Sequence, residues 1–212
     1  MIVIADCGIG NLQSVQRAFQ RIGADVVVSE RPEDLQMADK IVLPGVGSFA
    51  EGMTNLRRQG FLEVLNYKVL EKKTPFLGIC VGFQMMTNRS EEGRAEGLGW
   101  IDGETTRFHF GRPGGKHRVP HMGWNDLSIR RGDSLLDGLP AGSCFYFAHS
   151  YHVTCHDQRA ILATTQYGGE FVSAVQKNHM FGTQFHPEKS QVNGLAVLRN
   201  FLECHGANGN GS

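Results

Sequence analysis

The feature that most constrains the fold is an alternation, over roughly the first ninety residues, of short apolar runs with longer amphipathic ones. "MIVIA" (1–5), "DVVVS" (25–29), "KIVLPG" (40–45) and "TPFLGI" (74–79) are nearly continuous in aliphatic residues, and each predicts a strand buried on both faces. Between the first two, "LQSVQRAFQRI" carries Leu12, Val15, Phe19 and Ile22 on one helical face, and Gly23 supplies a stop. A second helix is expected from about Glu51 to Lys72. Strand and helix in this order predict a mostly parallel sheet flanked by helices. Such sheets bind ligands beyond the carboxyl ends of their strands. The turns "GIGN" (8–11) and "PGVGSF" (44–49), and the turn at Cys80, should therefore open on one side.

The second half has a different texture. "FYFAHSYHV", "AILATTQY", "FVSAVQK" and "MFGTQF" read as strands, with turns at Gly168-Gly169 and Asn178-His179, and predict antiparallel additions to the same α/β domain. "NGLAVLRNFLEC" predicts a closing helix. A chain of 212 residues is long enough for one sizeable domain and short for two, so one domain is expected over 1–204. The tail at 205–212, "HGANGNGS", cannot bury a core and is expected to be disordered. "FGRPGGKHR" (110–118) is expected to form a mobile loop.

Charge narrows the partners. The chain has 21 basic and 21 acidic residues, so no net field draws it toward nucleic acid or an anionic membrane. No window approaches a membrane span, and the start lacks the basic leader and long apolar region of a signal peptide. The five cysteines are scattered, without a CxxC pair, which suggests neither a disulfide framework nor a metal site. A cytoplasmic, reduced protein acting on a small metabolite or a protein partner is expected.

In "GICVG", residues 78–82, Cys80 stands two residues from a glycine on either side. A nucleophile on a tight strand-to-helix turn needs such small neighbours, and a helix N-terminus stabilises a thiolate. Taken locally, a buried apolar cysteine fits as well. "TQFHPEKS" offers a base: in extended chain His186 and Glu188 project to the same side, and Pro187 favours an extended backbone before it. Gly45 and Gly47 allow the positive-φ backbone that aims N–H groups at an oxyanion. "GIGN" lacks the last glycine of a dinucleotide loop, and no cofactor fingerprint is present.

Together, "PGVGSF", "GICVGFQ", "PHMGWN", "FAHSYHV" and "QFHPEKS" closely resemble the class I glutamine amidotransferases, and among them the glutaminase subunits of imidazole glycerol phosphate synthase, over residues 1 to about 204. The resemblance implies a flavodoxin-like fold and a Cys80–His186–Glu188 triad that hydrolyses the γ-amide of L-glutamine. It implies oxyanion donors at Gly47 and Val81, and substrate contacts at Gln84, Glu92, Ser150 and Tyr151, the last two through backbone. Trp124 and Asn125, with His149 and Lys189, resemble partner-facing positions. Val81 and Phe83 replace the family's commoner Leu and Met or His, while Phe83, Met85 and Met86 suit plain core packing.

Nothing in the chain forms the eight βα units of an acceptor enzyme. The resemblance therefore implies a separate (β/α)8-barrel cyclase subunit, joined as a heterodimer, that uses the ammonia to make imidazole glycerol phosphate and AICAR in histidine biosynthesis. The glutaminase motifs do not name the acceptor, so a subunit serving a sugar-modifying amidotransferase remains an alternative. A cysteine hydrolase of similar fold would leave Gln84 and Glu92 without a shared purpose, and a non-catalytic module would lack a triad member.

Overall fold

A computed structural model describes residues 1–110, 117–131 and 134–205. The strands in chain order are β1 (Ile2–Ala5), β2 (Val26–Ser29), β3 (Lys40–Gly45), β4 (Phe76–Cys80), β5 (Arg89–Ser90), β6 (Ala95–Glu96) and β7 (Gly103–Arg107). There follow β8 (His121–Asp126), β9 (Ser128–Ile129), β10 (Cys144–His149), β11 (Tyr151–Cys155), β12 (Ile161–Gln166), β13 (Glu170–Lys177) and β14 (Met180–Thr183). The helices are α1 (Leu12–Arg21), α2 (Phe49–Arg58), α3 (Phe61–Asn66), α4 (Val81–Gln84) and α5 (Gln191–Glu203).

The expected parallel strands form, in the order β2-β1-β3-β4. Every residue of β1 and of β4 is buried, as strands covered on both faces require. On α1, Val15, Ala18 and Phe19 are buried, and Leu12 and Ile22 pack at the edge of the core. The single long helix expected from Glu51 to Lys72 is instead three pieces: α2, α3 and a π-helical turn over Tyr67–Glu71. Gly60, at φ 79°, breaks it, because a left-handed residue ends an α-helix while the apolar pattern runs on past it.

The second half supplies the expected antiparallel additions, with two differences in how they join the sheet. β12–β13 and β13–β14 are antiparallel, with Gly168 and Asn178 at positive φ in their turns. The second hairpin reverses the chain so that β14 lies parallel to β4, with Thr183 opposite Ile79. "FYFAHSYHV" is not one strand either: β10 and β11 are separated by Ser150 and join different sheets, β10 pairing with β8 in a two-stranded ribbon and β11 entering the main sheet beside β7. The main sheet has twelve strands among the described residues. The expected loop at 111–116 and the tail at 206–212 lie outside the described residues.

The strand ends converge as expected. Gly45, at the end of β3, is level with Cys80, at the end of β4. Beyond β1, the Ile9 carbonyl accepts from the Val46 N–H at 2.6 Å, tying the "GIGN" turn to the "PGVGSF" loop. β14 ends on the other side of β4 and delivers residues 184–190 to the same place.

Candidate active site

Cys80 joins β4 to α4 with φ 53° and ψ −107°, a conformation rare for a side-chain-bearing residue and characteristic of strained functional turns. The flanking glycines permit it. A Cβ on Gly82 would overlap the Leu43 carbonyl, and one on Gly78 would come within 2.8 Å of the Gly82 backbone. α4 is a single turn, too short to place an extended helix dipole at Cys80. The thiol is 2% exposed, 3.6 Å from Gln184 Nε2 and 3.9 Å from the Ala148 carbonyl.

His186 and Glu188 meet as the i, i+2 spacing predicts, with His186 Nδ1 at 2.8 Å from Glu188 Oε1 and both side chains 2% exposed. Phe185, just before His186, points the other way, into the core against Phe145. The His186 backbone is clamped to β10: its N–H donates to the Tyr146 carbonyl at 2.9 Å, and its carbonyl accepts from Ser190 Oγ at 2.6 Å. Ser190 Oγ in turn accepts from Tyr146 N–H. Burial alone would push the imidazole pKa down, but Cys80 and Glu188 together outweigh it and raise it to about 10. A thiol, an imidazole and a carboxylate thus meet at the end of a parallel strand, an arrangement suited to nucleophilic attack followed by proton transfer to a leaving group.

The other expected residues divide. Gln84 is buried and donates to the Tyr151 carbonyl at 2.9 Å and to Gln184 Oε1 at 3.2 Å, so it shares one network with Tyr151 and Cys80. Ser150 links β10 to β11, and its carbonyl accepts from Phe108 N–H. Val81 opens α4, where a first-turn N–H has no intrahelical partner. Glu92 reaches across the fold, Oε2 accepting from Phe49 N–H at 2.7 Å, and so caps α2 where Ser48 makes no side-chain cap. Gly45 and Gly47 do not carry the positive φ expected of them. Gly45 is needed for space, since a Cβ there would lie 2.8 Å from Val81 Cβ, whereas at Gly47 it would make only ordinary contact with Ile9.

One expectation about the partner-facing residues needs correction. His149 is 5% exposed, with Nδ1 at 2.7 Å from the Tyr151 carbonyl and Nε2 at 3.1 Å from His121 Nδ1, so it is an interior group and cannot offer a surface contact. Asn125 is half-buried and donates its amide to the Gln166 carbonyl at 3.0 Å, on the opposite side of β8 from Trp124, because successive residues of a strand alternate. Trp124 is 48% exposed and Met122, on the same face, 65%. Tyr146 stands opposite Trp124 on β10, and Lys189 Nζ lies 5.7 Å from its ring centroid. Phe83, Met85 and Met86 are fully buried. Sequence reasoning missed Gln184 and Ser190. Gln184 precedes His186 by the same two-residue spacing that linked His186 to Glu188, and that alternation could have found it.

Comparison with known proteins identifies the family. Residues 3–204 match the family model for glutamine amidotransferase class-I. The chain is 47% identical to imidazole glycerol phosphate synthase subunit HisH 2 of Methanococcus maripaludis, covering 96% of this chain and 99% of that protein. It is 49% identical to subunit HisH 1 of Campylobacter jejuni strain RM1221, covering 95% and 99%. Among solved structures, one described as a glutamine amidotransferase superposes with a TM-score of 0.72 at 19% identity, covering 95% of this chain and 97% of that one. A chain in the structure of PurLQS from Thermotoga maritima superposes with a TM-score of 0.70 at 18% identity, covering 95% and 96%, and shares the fold. With the Cys80 elbow backed by a buried His186–Glu188 pair, and full-length relatives approaching half identity, the chain belongs to the class I glutamine amidotransferases, in the HisH family of imidazole glycerol phosphate synthase subunits.

Proposed function

We propose that residues 1–204 form one glutamine amidotransferase domain that hydrolyses L-glutamine and passes the ammonia to a separate (β/α)8-barrel cyclase in a cytoplasmic heterodimer, the glutaminase half of an imidazole glycerol phosphate synthase. The observation that carries this reading is the buried 2.8 Å His186–Glu188 pair set against Cys80 at its φ 53° elbow. Cys80 sulfur attacks the γ-amide carbon, the carbonyl π electrons move onto oxygen, and the N–H groups of Val81 and Gly47 donate hydrogen bonds to that oxyanion. His186, held protonated by Cys80 and Glu188, gives its proton to the departing nitrogen, which leaves as ammonia. Water, deprotonated by the now neutral His186, then attacks the thioester, releasing glutamate and restoring Cys80. Gln84, Glu92 and the backbone of Ser150 and Tyr151 hold the amino-acid end of the substrate.

Two features favour coupling to a partner. The Val46 N–H, in the loop that would supply the Gly47 donor, is engaged by the Ile9 carbonyl at 2.6 Å, and a loop rearrangement on partner binding would free it. Beside Cys80, the outer face of β8 and β10 exposes Met122 and Trp124, with Lys189 at its margin, an apolar surface with a cationic edge suited to a protein partner. Ammonia freed into water is largely protonated and no longer nucleophilic, so direct transfer into the acceptor is the workable arrangement.

The test is glutamate release by the isolated chain, by the chain with its cyclase, and by the complex with the cyclase's ligand. Near silence alone and stepwise activation support the reading. Equal rates in all three would leave an autonomous glutaminase, and activation by a sugar-modifying acceptor instead would reassign the pathway.

A further inference from the structure

Gln184 lies between β14 and His186 and is fully buried. Its backbone N–H donates to the Ser173 carbonyl, which anchors it to β13. The side-chain amide is fastened at both ends: Oε1 accepts from Gln84 Nε2 at 3.2 Å, and Nε2 points at Cys80 Sγ at 3.6 Å. The orientation follows from donor logic. Gln84 Nε2 can only donate, so it must meet the Gln184 oxygen, and the Gln184 nitrogen then faces the sulfur.

A buried amide nitrogen would be poorly satisfied by a neutral thiol, which is a weak acceptor, and well satisfied by a thiolate. Gln84 is itself held by the Tyr151 carbonyl, so Gln184 cannot swing away without breaking a second hydrogen bond. We infer that Gln184 is a further working residue of the site, whose Nε2–H holds the Cys80 sulfur in its charged, attacking form while Gln84 holds Gln184 in place. This rests on the reading of Cys80 as the nucleophile. It gives Gln84 a part besides substrate contact, as the strut that orients the donor.

The experiment follows alkylation of Cys80 by iodoacetamide across pH in the purified chain, with Cys80→Ala subtracting the other thiols, beside glutamate release in the complex with the cyclase. Gln184→Met keeps the size and removes the donor. Near pH 7 its alkylation is expected to fall about tenfold, and near pH 10, where thiolate forms regardless, to approach that of the unaltered chain. In the complex, kcat should fall by a similar factor with KM little changed. A folded Gln184→Met chain with an unaltered alkylation profile, or with an equal loss at every pH, would overturn the inference. If Gln184→Met does not fold, Gln184→Asn, which keeps an amide but draws the nitrogen back from the sulfur, decides by the same criterion. Glutamate release persisting in Cys80→Ala would refute the nucleophile assignment itself. A silent Cys80→Ala with a normal Gln184→Met refutes only the role of Gln184.

Discussion

Trp124 and Asn125 are neighbours in sequence and face opposite ways: the indole stands in solvent beside Tyr146, while the amide is tied to the Gln166 carbonyl at 3.0 Å. Their substitutions should therefore separate. Trp124→Ala is expected to weaken association with the cyclase, and its stimulation, by tenfold or more, as loss of an exposed aromatic anchor would, with the thermal midpoint of the isolated chain nearly unchanged. Asn125→Ala is expected to cost about 1 kcal/mol of stability through the lost hydrogen bond, with a smaller effect on association. Urea unfolding and titration calorimetry on the two variants measure both, and an Asn125→Ala variant impaired only in association would contradict this division.

His186 and Glu188 should differ in what they cost. Removing the proton carrier in His186→Ala is expected to lower glutamate release by about 10⁴-fold. Glu188→Gln keeps an acceptor for His186 Nδ1 and loses the charge that favours imidazolium, so its loss should be smaller. Single-turnover kinetics in the complex compare them, and equal losses would assign Glu188 a further part.

The histidines give stability two opposite pH limbs. His186 has a folded-state pKa of about 10, above the ordinary 6.5, so its contribution is fully present below pH 6.5 and is lost as pH rises through about 10. Burial holds His121 at about 4 and His149 at about 3. The unfolded chain binds those protons more readily, so stability falls as pH drops from 6.5 toward 4 and below. The urea midpoint should peak between the limbs. His121→Gln, which keeps a neutral partner for His149 Nε2, should flatten only the acid limb; an unchanged acid limb would refute this account.

The glycines of the site should respond unequally. Gly82→Ala drives a methyl into the Leu43 carbonyl at the elbow and is expected to cost about 3 kcal/mol or more, seen as loss of soluble folded protein. Gly47→Ala meets only ordinary contacts, the nearest at 3.5 Å, and should fold normally with Cys80 still open to alkylation. Its glutamate release in the complex should nonetheless fall, because a Cβ restricts the rearrangement that frees the loop's N–H groups. Full activity of Gly47→Ala would argue against that loop as an oxyanion donor.

What the sequence determined by itself is what local chemistry encodes. Continuous aliphatic runs bounded by turn residues suit buried strands, so β1 to β4 were legible. Glycines two residues either side of Cys80 announced a crowded turn, and the alternation of an extended chain put His186 beside Glu188 whatever the rest of the fold did. Tertiary structure decided what depends on segments far apart in the chain. That β14 runs parallel to β4, and so brings Gln184 to a sulfur 104 residues away, follows from a hairpin pairing that no local periodicity reports. The burial of His149, the tie of Asn125 to Gln166 and the capping of α2 by Glu92 likewise depend on which strand or loop arrives alongside. Gly45 shows the difference most directly: the sequence suggests backbone freedom, and the fold uses the missing side chain, because Val81 fills the space a Cβ would need.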